Sequence, residues 1–157
     1  MRKTALALSM LLLLAAAAAW AEPTSVQTVE GYLAKMKVAA KQPTPGEFQF
    51  KLGFPNAKAE SFLVRVLPAN KVVYVAILEV QDLPFRGPRS EGLFRELAKL
   101  NFQLTVGKLE WEPEKAQVRL SYTFASEQEI DQASFVAVIQ TLLSEVEQVR
   151  AKLQQVK

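Results

Sequence analysis

The chain has 157 residues, 50% of them hydrophobic, with 19 Lys and Arg against 16 Asp and Glu, and it contains neither Cys nor His. Without those two residues there is no disulfide frame, no usual zinc or copper ligand, and no Ser-His or Cys-His nucleophile pair. Any catalysis would rest on carboxylates, Lys, Tyr or Arg, so a non-enzymatic protein with no metal and no cofactor is expected.

Residues 1–21 read as a secretory signal peptide. Arg2 and Lys3 supply its positive end, an apolar run extends from Ala5 to Ala19, and Ala19-Trp20-Ala21 places small residues at the positions a signal peptidase reads. The run is shorter than the roughly 20 apolar residues of a permanent span, and no cysteine follows it for lipid attachment. The expected mature form is therefore one domain, residues 22–157, exported to the periplasm or the medium, with no stable membrane anchor. Losing Arg2 and Lys3 leaves 17 basic residues against 16 acidic ones, a net charge of +1. Nucleic-acid binding gains no support from that balance.

In chain order, Thr24 or Ser25 caps a first helix of about 12–14 residues, with Val26, Val29, Leu33 and Met36 on one stripe. Gln42-Pro43-Thr44-Pro45-Gly46 is expected to stop it. Phe48, Phe50 and Leu52 alternate with polar residues as in a half-buried strand. Ser61 to Leu67 and Val72 to Val80 read as a hairpin. The second of these runs is apolar on both sides through Leu78, which predicts a central strand covered on both faces. After the loop Asp82 to Arg89, Ser90 caps a helix carrying Leu93, Phe94, Leu97 and Leu100. A second hairpin runs from Leu104 to Trp111 and from Ala116 to Phe124, with a bulge expected at Gly107. Ser126 is expected to cap a helix that continues to the C-terminus. Hairpins in place of βαβ crossovers predict an α+β fold, an antiparallel sheet with helices packed on it in the order αβββαββα.

From Leu93 to Val156 the chain resembles the YbjN family of small bacterial proteins, which are grouped with type III secretion chaperone-like folds. The matching residues are Leu100-Asn101, Gly107-Lys108-Leu109, the turn Glu112-Pro113-Glu114 and the strand Val118-Arg119-Leu120, followed by a long final helix. The resemblance implies a protein-binding or regulatory module without an active site. It differs from many such domains in carrying an export signal.

Four residue groups are candidate sites. Arg86 and Arg89 flank Gly87-Pro88 before a helix N-terminus, where two guanidinium groups would suit a phosphate or carboxylate. Glu110, Glu112 and Glu114 alternate toward one face, as an acid-base pair or a hard-cation site would require. Trp111 and Tyr122 could face each other across the second hairpin. In the last helix Phe135, Ile139, Leu142, Val146, Val149, Leu153 and Val156 recur at spacings of four and three, a heptad seam. Its second half, Val146, Val149, Leu153 and Val156, either packs on the first helix or faces a partner, including a second copy in a weak homodimer. The resulting reading is an exported protein-binding, chaperone-like module. The alternative is a periplasmic carrier or sensor holding a small apolar or anionic ligand between sheet and helices. If the signal is removed as read, intact-mass measurement of protein from the cell envelope or medium gives a chain starting at Glu22. A membrane-bound species retaining Met1 would contradict that reading.

Overall fold

The computed structural model describes residues 24–55, 57–84, 87 and 89–156. The expected signal peptide and the start at Glu22 lie outside the described residues. Helix α1 spans Val26–Lys35, and the Ser25 side chain caps it by accepting from the Thr28 amide at 3.1 Å. It ends earlier than its stripe suggests, because Lys37 takes a left-handed φ of 58°. The Pro-rich segment read as a breaker is instead a short strand, β1 (Lys41–Thr44), paired with β2 (Glu47–Leu52). Proline is tolerated there because β1 is an edge strand, where a missing ladder donor costs little.

Strands β3 (Glu60–Leu67) and β4 (Val72–Asp82) form the expected hairpin, and β5 (Lys108–Glu112) and β6 (Gln117–Ala125) the second one. Helix α2 (Ser90–Gln103) connects them. The six strands lie in the order β1-β2-β3-β4-β6-β5, every neighbouring pair antiparallel. The predicted α+β fold is observed. The bulge falls in β4 and not at Gly107: the β4–β6 register shifts between Ile77 and Gln81, with Glu79 at φ 58°.

Helix α3 (Gln132–Gln154) is about 34 Å long at 1.5 Å per residue. Asp131 caps it, accepting from the Ser134 amide at 2.9 Å. Ser126, expected in that role, is buried, and its amide donates to the Lys71 carbonyl at 2.8 Å.

All three helices among the described residues pack on one face of the sheet. Register carries Phe50, Phe62, Ile77, Leu120 and Leu109 across that face in one row, and Phe48, Val64, Val75 and Tyr122 in the next. These rows share one apolar cluster with Val29 and Leu33 of α1, Leu93 and Leu97 of α2, and Phe135, Ile139 and Leu142 of α3. An ion pair at the edge of the core ties β3 to α3: Arg150 donates to Glu60 at 2.9 Å, to Glu147 at 2.8 Å and to the Val80 carbonyl at 3.3 Å. The carbonyl of Val80 sits at the β4 bulge, so the same guanidinium that neutralises Glu60 also satisfies backbone the bulge disturbs.

Two of the residues that carried the YbjN resemblance prove to be structural. The Asn101 side chain accepts from the Leu109 amide at 2.6 Å and donates to the Leu109 carbonyl at 3.0 Å, imitating a neighbouring strand along the β5 edge. Gly107 enters β5 at φ 83°, and a Cβ there would lie 2.7 Å from the Ser121 carbonyl oxygen. Left-handed backbone and this clash act together, so Gly107→Ala should cost at least about 2 kcal/mol. Thermal denaturation should then show a fall of roughly 5–10 °C.

A second prediction concerns Glu145. Its Oε2 is buried without a hydrogen-bond partner, and burial pushes its carboxyl above the ordinary 4.5. Folding thus favours the protonated form. That contribution is complete below the unfolded pKa and is lost as pH rises through the folded one. Glutamine has the same shape and no charge, so Glu145→Gln should melt higher than the parent chain at neutral pH. The difference should vanish below about pH 4, as paired melting curves across that range would show.

Candidate functional site

The face of the sheet opposite the helices has a different construction. Among the described residues no helix lies over it, which corrects the expectation that β4 is covered on both sides. Register places Gln49, Leu63, Ala76, Ser121 and Lys108 in one row across this open face. Lys51 and Ser61 lie in the next row, with Leu78 on β4 beside Ser61; Glu47, Arg65, Tyr74 and Thr123 form a third. Leu63 and Ala76 are 3% and 0% exposed yet stand outside the helix-backed cluster, so neighbouring strands' side chains must shield them. The apolar alternation of β4 that suggested two covers reflects shielding of this kind.

Charge on the open face is mostly paired within it. Arg65 binds Glu47 at 2.8 Å, Lys108 binds Glu110 at 2.7 Å, and Arg119 binds Glu112. The Tyr74 hydroxyl reaches across from β4 to β5 and donates to Glu110 Oε2 at 2.6 Å. Burial of Glu110 opposes its charge, but hydrogen bonds from Lys108, Tyr74 and Ser121 and the Lys108 charge outweigh it and hold the carboxyl below its ordinary range. Tyr74 moves the opposite way, its hydroxyl pushed up by burial and then by the carboxylate it faces. The same balance of burial against hydrogen bonds from Gln49 and Arg65 leaves Glu47 lowered. These groups are locked as ions and partners, and none is poised to exchange a proton near neutrality.

The carboxylate trio is therefore not assembled as a site: Glu110 and Glu112 are held by cations, and Glu114 is exposed in the turn. Trp111 and Tyr122 do not meet. Trp111 stands opposite Val118, packs edge-on against Phe94 at 5.2 Å and donates to the Leu83 carbonyl at 2.8 Å. Tyr122 packs on Phe124 at 4.8 Å. Of the proposed anion pair, Arg86 lies outside the described residues. Arg89 is exposed and makes no ion pair among them, and Ser90 beside it donates to the Pro84 carbonyl at 2.9 Å.

The heptad seam needs the clearest correction. Val146, Val149 and Leu153 are 1%, 3% and 0% exposed, and Val156 is partly buried against the same core. They belong to the core that packs α3 on the sheet and on α2, where Lys152 donates to Gln103 at 3.1 Å. The first helix meets the other end of α3: the Tyr32 and Phe135 rings lie 5.7 Å apart. A sheet surface accepts the same four-and-three spacing as a partner helix, so sequence spacing alone does not choose between them. The seam thus presents no exposed dimer surface. Between α3 and the sheet the layer is filled by Phe135, Ile139 and Leu142, each 0% exposed.

Among the described residues three large apolar side chains are exposed, on different elements: Phe54 after β2, Leu67 at the end of β3 and Phe102 on α2, the last at 93%. Leu67 belongs to the open face, two residues along β3 from Arg65. No described helix is long and apolar enough to cross a membrane.

Neither a family model nor a curated protein sequence matches the chain. Solved structures do match. The chain is similar to one in the crystal structure of the ExsC–ExsE complex, with a TM-score of 0.58 and 15% identity over 82% of this chain and 92% of that one. It is also similar to a chain in the HopA1–SchA chaperone–effector complex, with a TM-score of 0.53 and 8% identity over 77% and 88% respectively. At such identities the likeness is one of fold: the chain has the α+β architecture of the type III secretion chaperones.

Proposed function

We propose that this chain is a non-enzymatic, exported, chaperone-like module, related to the YbjN group, that binds a polypeptide on the uncovered face of its sheet. One observation carries the reading. Helices cover a single face, while the opposite face holds Leu63, Leu67, Val72, Ala76 and Leu78 under little more than neighbouring side chains. A broad sheet surface with shielded apolar rows and satisfied charges suits a polypeptide better than a small molecule, which needs an enclosing cavity. The fold shared with ExsC and SchA, structures of complexes with ExsE and HopA1, supports the same conclusion. So does the pairing of its carboxylates, which holds Glu47, Glu110 and Glu112 against cations. The signal sequence of residues 1–21 supports action outside the cytoplasm.

Photo-cross-linking residues placed at Leu67 and Leu78 in the producing cell should capture polypeptide adducts, whereas one at Lys99 on the outer side of α2 should not. Equal capture from all three positions, or none from the sheet, would exclude the open face as the binding surface.

A further inference from the structure

The open face is not uniform. At its β1–β4 end the surface dips into a concavity of about 410 Å³ lined by Ala39, Lys41, Gln49, Lys51, Ser61 and Leu78, with no acidic side chain among its walls. Elsewhere on the face Arg65, Lys108 and Arg119 each have a carboxylate partner. Lys41 and Lys51 have none among the described residues, and both are exposed. The described carboxylates of the face are thus taken by Arg65, Lys108 and Arg119, Glu47 accepting from Gln49 as well, and two ammonium groups around the hollow are left unmatched.

We propose that this concavity receives an acidic segment of the partner polypeptide, with an apolar side chain against Leu78 and carboxylates at Lys51 and Lys41. The proposal rests on the protein-binding reading above and adds the partner's chemistry. Register sets the spacing. Leu78, Ser61 and Lys51 lie side by side on β4, β3 and β2, and Lys41 opposes Gln49 one strand further on. Adjacent strands are about 4.8 Å apart, so Lys51 and Lys41 sit roughly 10 and 14 Å from the Leu78 strand. A segment crossing the strands in extended form rises about 3.3 Å per residue and alternates its side chains, so the second and fourth residues after the apolar one face the sheet, about 7 and 13 Å along and within side-chain reach of Lys51 and Lys41. The fitting sequence is thus an apolar residue followed two and four positions later by Asp or Glu. An inorganic anion would use the lysines and leave Leu78 in water, so the two halves of the concavity together select a peptide.

The test titrates the purified, ¹⁵N-labelled chain with a short synthetic peptide carrying one Leu and Glu at the second and fourth positions after it. A control peptide has Gln in place of both Glu. The acidic peptide should shift the amides of Lys41, Gln49, Lys51, Ser61 and Leu78. It should bind at least about tenfold more tightly than the control at low salt and lose that advantage as ionic strength rises. Lys41→Glu with Lys51→Glu should abolish the preference without changing the melting temperature, since both side chains are exposed. Equal binding of the two peptides, shifts elsewhere, no shifts, the same shifts from inorganic phosphate alone, or self-association in place of peptide binding would each overturn the proposal. Charge-indifferent cross-linking of polypeptide from Leu67 and Leu78 would then leave the broader reading standing by itself.

Discussion

The seating of α3 on the sheet is the interaction from which the rest of the molecule follows. Seven of its side chains, from Phe135 to Leu153, are buried, and each is worth about 1.5–3 kcal/mol relative to exposure in water. They lie over β4 and β6, the middle of the sheet, while α1 and α2 close its flanks. A sheet with its helices all on one side must stabilise the other side by different means. The ion pairs Arg65–Glu47, Lys108–Glu110 and Arg119–Glu112 and the Tyr74 hydroxyl do this by cross-strand pairing, each contributing tenths of a kcal/mol to about 1.

The edges of the sheet are managed with equal care. An unpaired strand edge invites addition of a foreign strand. At one end β1 is four residues long and fully exposed, and carries Lys41 and Pro43. At the other, the Asn101 amide occupies the Leu109 backbone groups that a new strand would need, and Pro113 follows the strand. Both edges are blunted, and on the proposed reading the open face is the extended surface left for recognition. That geometry favours docking across the strands over alignment beside them.

Local patterns were legible in the sequence and long-range ones were not. Alternation in Phe48, Phe50 and Leu52 matches a half-buried strand, and the Ser25 cap and both hairpins followed from neighbouring residues. The reading failed wherever a distant partner decided the outcome. The start of α3 is moved past Ser126 because the amides of Ser126 and Ile130 are taken by the Lys71 carbonyl and the Thr24 hydroxyl. The role of Arg150 depends on Glu60, ninety positions away. β1 was obscured by its proline, whose cost depends on whether a strand lies at an edge. For the open face, the alternation in β4 revealed two apolar sides but not that one of them would meet only water and neighbouring side chains. For Glu145, nothing in its sequence neighbourhood marks the burial of one of its oxygens, which only packing produces.

The hydroxyl of Thr24 donates to the Gln128 carbonyl at 3.3 Å and accepts from the Ile130 amide at 2.7 Å, so the first described residue is fastened to the loop that leads into the last helix. Tyr32 donates to the Ile130 carbonyl at 2.7 Å in the same place. A ribosome delivers these groups in reverse order of need: α1 emerges first and finds its anchor only after some hundred further residues. Closing so long a loop must precede the contacts that reward it, which slows folding. The nascent chain is consequently held open through most of its synthesis. The core and the anchor of α1 are thus completed together, by the loop and helix that are made last among the described residues.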